Sequence, residues 1–306
     1  MARVPHRKDR GIAGGDHAAE SLLSAALAVA VDRDGLLELL KLSRRSLARE
    51  PSMVVLPAGR LLVVGDLHGH LDAAAWVARE LLAREECHLV ALGDYVDRGD
   101  EQLATLALML ELRLAESGRV TLLRGNHETS RMSDDLGFAS TLLETHGGEV
   151  LDACHAAFAE LPIMAHRPDG VLCLHGGIPS GARSMDDLRR LPKGGREPTD
   201  PDVLEVLWND PEERAGGFEP NLARGIGMTF GLDATREFCR RSGLWLLVRA
   251  HQASLEGAVR FHGGRGLSLF SHPGYRGMAN EGAAALVGMD MVVETLTVEP
   301  ARRGTA

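Results

Sequence analysis

The chain has 306 residues, of which 44% are apolar and 25% charged, as is typical of a folded protein with a sizeable core. Its net charge of −9 and its lack of a basic patch exclude the usual signature of a nucleic-acid partner. No apolar run has the length of a transmembrane helix, so we expect no membrane association. The cysteines form no CxxC pair and predict reduced thiols in a cytoplasmic protein; they are Cys87, Cys154, Cys173 and Cys239.

The N-terminal part of the chain predicts a tail followed by helices. Residues 1–17 are rich in arginine, glycine and charge, which predicts a disordered tail. Apolar residues then favour helices over 18–31 and 34–49. Residues 22–31 also resemble the core of a signal peptide. Acidic residues in the flank of that segment favour a buried helix, and the sequence leaves open whether residues 1–30 are cleaved.

From residue 53 the pattern changes to short apolar runs that end in glycine or polar residues. These runs are 61–64, 88–92, 120–123, 171–174 and 244–248. Because they do not alternate with polar residues, we expect strands that are buried on both faces. Helical stretches over 71–86 and 101–116 separate the first three runs, an order that favours a substantially parallel α/β arrangement.

The C-terminal part predicts further strands and a second sheet. They lie near 258–262, 266–271 and 284–298, with a hairpin signal at Gly263-Gly264-Arg265-Gly266. Residues 192–202 are rich in proline and glycine and predict a loop rather than a domain linker. We therefore expect one domain over residues 18–300.

Metal-capable side chains follow these strands at the edge where open α/β sheets form their sites. They are Asp66, His68, Asp94, Asn126, His175 and His251. Taken singly, such residues are usually caps, turn residues or hydrogen-bonded core histidines. Their recurrence at successive strand ends predicts a metal site instead. Carboxylate, imidazole and amide ligands without thiolate suit Mn, Fe or Zn.

The spacing of the candidates indicates how two ions would share them. Asp66 and His68 lie on the same side of an extended segment, so both can hold one ion. Asp94 can bridge, because paired ions sit roughly 3.5–4 Å apart and a carboxylate has two oxygens. The coordination of the second ion would be completed by Asn126, His175 and His251, which follow later strands.

The motifs around these residues resemble those of the phosphoprotein phosphatases, the serine/threonine branch of the calcineurin-like metallophosphoesterases. The motifs are Gly65-Asp66-Leu67-His68-Gly69, Gly93-Asp94-Tyr95-Val96-Asp97-Arg98-Gly99, Gly125-Asn126-His127-Glu128, His175-Gly176-Gly177, Arg224-Gly225 and Arg249-Ala250-His251. The resemblance spans about residues 34–295. It implies an α/β fold with a two-sheet β-sandwich flanked by helices. It also implies two divalent ions, with Mn favoured over Fe or Zn, held by Asp66, His68 and Asp94 and by Asp94, Asn126, His175 and His251.

The resemblance further implies hydrolysis of protein phosphoserine and phosphothreonine by a metal-bridging hydroxide. Arg98 and Arg224 would bind the phosphate oxygens, and Tyr275 would line the substrate cleft; surface ion pairs are the alternative for the arginines. His127 would donate a proton to the leaving alkoxide, oriented by Asp97. The implied partner is a phosphoprotein substrate, and the sequence identifies no regulatory subunit.

Some positions depart from the family pattern, and two rival functions stay open. His70 replaces the common glutamine, and His272 and Arg276 replace alanine and cysteine in the loop that carries Tyr275. The positive charge that His272 and Arg276 could add there would favour an acidic substrate, unless the loop has simply drifted. The rivals are a small-molecule phosphoesterase, such as a dinucleoside polyphosphate hydrolase, and a non-catalytic scaffold that binds phosphoproteins.

Overall fold

The structure, a computed structural model, describes residues 12–299. Its helices are α1 (Ile12–Val31), α2 (Arg33–Leu47), α3 (Leu71–Ala83), α4 (Gln102–Ala115), α5 (Ser130–Leu136), α6 (Phe138–Thr145), α7 (Gly148–Phe158), α8 (Met185–Leu188), α9 (Pro201–Trp208) and α10 (Leu232–Ser242). Its strands are β1 (Met53–Val55), β2 (Arg60–Val64), β3 (Cys87–Ala91), β4 (Val120–Leu122), β5 (Met164–Arg167), β6 (Val171–Leu174), β7 (Asp210–Pro211), β8 (Phe218–Pro220), β9 (Met228–Phe230), β10 (Leu246–Arg249), β11 (Ala258–Phe261), β12 (Gly266–Leu269), β13 (Ala283–Val287) and β14 (Val293–Thr297).

Two mixed sheets form the centre of the fold. The first has the strand order β14-β13-β2-β3-β4, and the second has the order β1-β5-β6-β10-β12-β11. Strands β2, β3 and β4 are parallel, as are β6, β10 and β12. Strand β13 joins β2 in the antiparallel sense, and a third, small sheet has the order β7-β9-β8. The predicted two-sheet sandwich with a partly parallel core is confirmed.

The side chains of each central strand alternate between two apolar layers. Leu61 and Val63 of β2 belong to the core between the sheets, together with Val248 of β10. Leu62 and Val64 belong to the layer that packs under the helices. Both faces of the strand are therefore buried, which is why its sequence is a continuous apolar run without polar alternation.

Helices cover the outer faces of both sheets. The core beneath the first sheet includes residues from α1, α2, α3, α4, α6 and α7. The core beneath the second sheet includes residues from α8, α9 and α10. No described helix has both the length and the apolar content needed to cross a membrane. The helices thus form the outer layers of the sandwich and leave the strand ends for the site.

The first helix begins earlier than its sequence indicated. Helix α1 starts at Ile12, so the predicted tail over residues 1–17 is wrong for 12–17, and its remaining residues lie outside the described part. Two glycines near the start of α1 had favoured a tail. However, Gly15 is buried, and a Cβ built on it would lie 3.4 Å from the backbone of Leu82 in α3. Glycine therefore lets α1 pack closely on α3, and packing outweighs helix propensity.

The remaining boundaries differ from prediction by a few residues. Strand 284–298 is two antiparallel strands, β13 and β14, and the glycine-rich turn does join β11 to β12. The predicted loop over 192–202 ends where α9 begins, with Asp200 accepting hydrogen bonds from the backbone N–H groups of Asp202 and Val203. Because Pro201 occupies the first turn of that helix, its proline signals a helix start as well as a loop.

Candidate metal centre

The predicted ligands meet where the carboxyl ends of both sheets come together. Asp66, Asp94 and Asn126 follow β2, β3 and β4 of the first sheet, and His175 and His251 follow β6 and β10 of the second. The two sheets are joined at this edge by a parallel bridge between Asp66 and Phe270. The structure thus places the candidate ligands of five strands at one edge of the sandwich.

Glycines allow the turns after β3 and β4 to touch. Gly93 has a φ of 106°, and a Cβ built on it would lie 2.2 Å from the backbone nitrogen of Gly125. A Cβ built on Gly125 would lie 2.1 Å from Asp94 Oδ1. Any larger residue would therefore push the two turns apart. This close approach brings Asp94 beside Asn126.

His68 faces two carboxylates in the first half of the site. Its Nδ1 lies 2.9 Å from the carbonyl oxygen of Val96, which can only accept, so Nδ1 carries the proton. Its Nε2 lies 3.7 Å from Asp66 Oδ2 and 3.6 Å from Asp94 Oδ2. Burial, with a further contribution from His127, lowers the pKa of His68 to about 3. The Nε2 lone pair of a neutral imidazole therefore points toward both carboxylates.

The second half of the site centres on His175. Its Nδ1 donates to the carbonyl oxygen of Leu92 over 2.9 Å. Its Nε2 lies 3.0 Å from Asn126 Oδ1, 3.2 Å from His251 Nδ1 and 3.4 Å from Asp94 Oδ2. The other nitrogen of His251, Nε2, is buried without a hydrogen-bond partner among the described residues.

These donor sets fit divalent cations. Ligand atoms of Asp94, His175 and His251 lie within 4.8 Å of one another, and so do those of Asp94, His68 and His127. Lone pairs and carboxylates that converge in this way repel each other unless a positive charge lies between them. Burial lowers the pKa of His175, but Asp94 opposes that effect and the net pKa is raised, so this position favours a positive charge. Asp94 belongs to both sets, as a bridging ligand would.

His127 lies beside this centre in contact with Asp97. Its Nδ1 is 2.8 Å from Asp97 Oδ2, and its backbone N–H donates to Asp94 Oδ1 over 3.0 Å. Its Nε2 is 3.8 Å from Asp94 Oδ2. Burial lowers the pKa of His127, but Asp94 and Asp97 raise it by more, so the net pKa lies above its ordinary value. The arrangement favours a protonated imidazole with Nε2–H directed at the site.

The predicted phosphate-binding residues lie in different settings. The ring of Tyr275 stacks on that of His68, with centroids 5.3 Å apart and planes 18° apart. Arg98 has an exposed side chain and lies near enough to act on the hydroxyl of Tyr275 electrostatically. Arg224 forms an ion pair with Asp210 and donates to the carbonyl oxygen of His251 over 3.1 Å. The ion-pair alternative is therefore realised for Arg224, which is nevertheless fixed next to a candidate ligand.

His272 does not supply the positive charge that was expected of it. Burial, with a contribution from His70, lowers its pKa to about 4, so the ring is neutral near pH 7. The rings of His70 and His272 contact each other edge to face at 4.6 Å. Two of the positions that depart from the family pattern are thus neighbours, and Arg276 carries the charge in this loop.

Glu128 is the last residue of the Gly125-Asn126-His127-Glu128 motif, and the structure shows a role for it that the sequence did not indicate. It is fully buried and accepts the backbone N–H groups of Asp94 and Tyr95 over 2.8 Å each, and that of Gly125 over 2.9 Å. Burial and the nearby Asp94 raise its pKa to about 7. Glu128 therefore ties together the turns that carry Asp94 and Asn126. In the sequence, only its position two residues after the candidate ligand Asn126 could have indicated this supporting role.

Arg249 is a second residue that the sequence reasoning missed. Its side chain is fully buried and donates to the carbonyl oxygens of Gly176 (2.6 Å) and Asn209 (3.0 Å) and to Asp210 Oδ1 (2.9 Å). It thereby joins the turn after His175 to the end of α9. The signal was an arginine two residues before His251, in a stretch that was otherwise apolar.

A cavity opens beside the candidate centre. Its volume is about 310 Å³, and its lining includes Arg131, Met132, Pro198, Trp208 and Arg224. The indole of Trp208 meets the ring of His251 edge to face at 5.5 Å, so the cavity adjoins the second half of the site. A substrate bound at the centre would have room there for a neighbouring group.

Residues 59–255 match the family of calcineurin-like phosphoesterases. The chain is 33% identical over 285 residues to the serine/threonine-protein phosphatase BSL2 of Arabidopsis thaliana, covering 88% of this chain and 28% of that protein. It is 34% identical over 229 residues to a probable serine/threonine-protein phosphatase of Encephalitozoon cuniculi, covering 74% and 50%. This chain therefore spans half or less of each curated relative.

A solved structure extends the comparison to the whole fold. It is a protein serine/threonine phosphatase from Saccharomyces cerevisiae with similarity to human phosphatase PP5; it is 26% identical, covers 88% of this chain and 90% of that chain, and superposes with a TM-score of 0.80. The chain belongs to the calcineurin-like phosphoesterase family. Within that family, its similarity to serine/threonine phosphatases confirms the resemblance that its motifs predicted.

Proposed function

We propose that this chain hydrolyses phosphoserine and phosphothreonine in proteins, using two divalent cations. The observation that carries this proposal is the convergence of buried carboxylate, amide and imidazole groups on Asp94, with the His127–Asp97 pair beside them. The names of the similar proteins give the substrate class. The proposed catalytic domain is residues 18–300.

The cations would be shared as the donor set suggests. Asp66, His68 and Asp94 would hold one ion, and Asp94 would hold the second with Asn126, His175 and His251; the short distances between their side-chain atoms support both sets. Mn is the proposed metal, with Fe or Zn as alternatives, because the ligands are nitrogen and oxygen atoms without thiolate. When bound, such ions activate water and neutralise charge on phosphoryl oxygens.

The chain's own residues would position the phosphate and move the proton. Within residues 12–299 the exposed guanidinium of Arg98 has no hydrogen-bond or ion-pair partner, and Arg224 is fixed beside His251, so both can donate to phosphate oxygens. Tyr275 would line the cleft above His68. The raised pKa of His127 keeps a proton on Nε2, which can be given to the leaving alkoxide, while Asp97 fixes the ring.

The proposed location is the cytoplasm, and the proposed partner is a phosphoprotein. All four cysteines are buried and form no disulfide, as is usual in a reducing compartment. Residues flanking the phosphorylated one would enter the cavity next to Trp208.

A metal-dependent substrate comparison tests the function. The purified chain is stripped with chelator, reloaded with Mn, Zn or Fe, and assayed on phosphoserine, phosphothreonine and phosphotyrosine peptides and on diadenosine tetraphosphate. We expect activity only with added metal and the highest kcat/KM on phosphoserine or phosphothreonine. A higher kcat/KM on the dinucleotide would favour the small-molecule rival, and no turnover with any metal would favour the scaffold.

A variant of His127 tests the proton donor. His127→Asn should lower kcat by roughly 10²–10⁴-fold, the usual contribution of a general acid. Metal content, measured by mass spectrometry, should stay at the wild-type value because the proposed ligands are intact. Asp94→Asn is the matched comparison and should lose metal as well as activity. Equal loss of metal in both variants would show that His127 is structural.

A further inference from the structure

The loop that carries Tyr275 is held in one conformation over the site. Ser271 Oγ accepts the backbone N–H of Gly65 over 2.9 Å, which ties the loop to the strand end that precedes Asp66. Asn280 accepts the backbone N–H of Tyr275 and donates to the carbonyl oxygen of His272, both over 2.8 Å. The loop is therefore fixed from both ends, and the residue after Tyr275 has a defined place at the rim.

Arg276 occupies that place in an unfavourable backbone conformation. Its φ is 52°, between Gly274 at 68° and Gly277 at 79°. Glycine adopts such angles freely, whereas residues with a Cβ rarely do. The loop thus has glycine at two left-handed positions and keeps arginine at a third, which points to a use for the side chain.

Two guanidinium groups are available at this rim. The side chains of Arg98 and Arg276 are exposed, and within residues 12–299 neither has a hydrogen-bond or ion-pair partner. Arg98 directly follows Asp97, which contacts His127, and Arg276 directly follows Tyr275, which stacks on His68, so both arginines belong to segments that border the site. In contrast, Arg224 is paired with Asp210 and Arg249 is buried. The chain has a net charge of −9, so this basic rim differs in sign from the molecule as a whole.

We infer that Arg276 is a specificity-determining residue, which binds a second anionic group next to the phosphorylated residue of the substrate. The inference rests on the proposed function, in which Arg98, Arg224 and the cations bind the scissile phosphate. A guanidinium one residue beyond Tyr275 then stays free for a neighbouring anion, and arginine binds carboxylates and phosphates through paired N–H donors. Successive residues of an extended peptide are about 3.3 Å apart, so the anion would belong to one of the nearest positions.

The test uses matched phosphoserine peptides and three forms of the enzyme. One peptide series carries Glu, Gln or a second phosphoserine at the two positions before the phosphoserine, and the other series carries them after it. The enzymes are wild type, Arg276→Gln, and Arg260→Gln as a control. Arg260 is exposed on β11, outside the site, and its substitution changes the net charge equally.

The readout is the ratio of kcat/KM for the acidic peptide to that for the Gln peptide. We expect a ratio of roughly two to five in one of the two series, since exposed ion pairs are worth that factor. Arg276→Gln should bring the ratio close to one, and Arg260→Gln should leave it at the wild-type value. Because exposed charges are screened by salt, the wild-type ratio should also fall at high ionic strength.

The outcomes separate this inference from the proposed function. Hydrolysis of the Gln and acidic peptides at equal rates in both series would overturn the inference and leave the function intact. The same holds if Arg276→Gln keeps the wild-type ratio. Failure to hydrolyse any phosphopeptide would overturn the function and the inference together. A preference for the doubly phosphorylated peptide over the Glu peptide would support the role of Arg276 and identify phosphate as the second anionic group.

Discussion

Replacing Arg249 by methionine should destabilise the fold beneath the second half of the site. Arg249 Nη2 donates to Asp210 Oδ1 over 2.9 Å, and Nη1 donates to Gln252 Oε1, also over 2.9 Å. Its Nε donates to the carbonyl oxygen of Gly176 over 2.6 Å. Burial lowers its pKa to about 10, so the guanidinium stays charged near pH 7. Methionine has a similar volume but donates no hydrogen bond, so these acceptors would lose this hydrogen-bond donor.

The size of the effect follows from the burial of the pair. Hydrogen bonds to charged groups are each worth about 1.5–3 kcal/mol, but a large part of their sum is offset by the cost of removing the guanidinium from water. Breaking a buried ion pair by removing one partner costs about 3–5 kcal/mol. Asp210 keeps Arg224 as a partner, at 3.3 Å between Oδ1 and Nη2. We therefore expect a loss of about 3–4 kcal/mol in the free energy of unfolding, toward the lower end of that range.

Urea unfolding followed by circular dichroism measures this loss in the metal-free protein. Arg240→Gln is the matched control, because Arg240 forms a surface ion pair with Glu237. Its removal should leave the unfolding midpoint unchanged. A double-mutant cycle with Asp210→Asn should show that the two losses are less than additive, since both variants break one interaction. The reasoning is wrong if Arg249→Met costs less than about 1 kcal/mol, the size of an ordinary surface effect.

Three further predictions concern acid–base chemistry and the core. Asp97→Asn removes a carboxylate that helps to raise the pKa of His127, so kcat should fall by about 10–100-fold. The alkaline limb of the pH profile of kcat should also move to lower pH. If that limb does not move, it does not report the ionisation of His127. Burial lowers the pKa of His88 to about 4, so the folded state resists protonation while the unfolded chain titrates near 6.5. Stability should therefore fall as the pH drops from about 6.5 to 4, by on the order of 2–3 kcal/mol, and urea unfolding of His88→Gln should show a smaller slope over that window. Leu81→Ala should cost about 2–5 kcal/mol of stability with unchanged kcat, because Leu81 is fully buried in α3 away from the site; a changed kcat would reveal coupling to the centre.

The strands and their polar ends were predictable from the sequence because local chemistry determines them. The central strands are mostly apolar, and glycine with a carboxylate, amide or imidazole residue often follows them, as at Gly93 and Asp94 after β3. Strand order was not predictable in the same way. Strand β13 pairs with β2 across more than two hundred residues, with Ala284 opposite Val64. Nothing in either apolar segment specifies its partner; packing of the whole sandwich does.

The same distinction separates the candidate ligands from their supports. His68 and His175 could be proposed from their positions alone, because a ligand must follow a strand at the common edge. Arg249 and Asp210 could not be paired, since their contact depends on how the end of β10 packs against the junction of α9 and β7. The role of Glu128 was also not predictable, because it accepts hydrogen bonds from backbone N–H groups, and a sequence does not show where those groups lie.

Backbone strain is concentrated where the proposed chemistry takes place. Among residues 12–299, eight non-glycine residues have φ in the left-handed region, and six of them belong to the site or its rim: His68, Asp94, Asp97, Arg98, His251 and Arg276. Each such conformation costs about 1–3 kcal/mol and persists only where surrounding contacts enforce it. Glu128 supplies those contacts beneath Asp94, and Arg249 lies two residues before His251. Because these supports are protein hydrogen bonds, the fold itself helps to set the geometry of the candidate ligands. Metal affinity should therefore depend on Glu128 and Arg249 as well as on the ligands themselves.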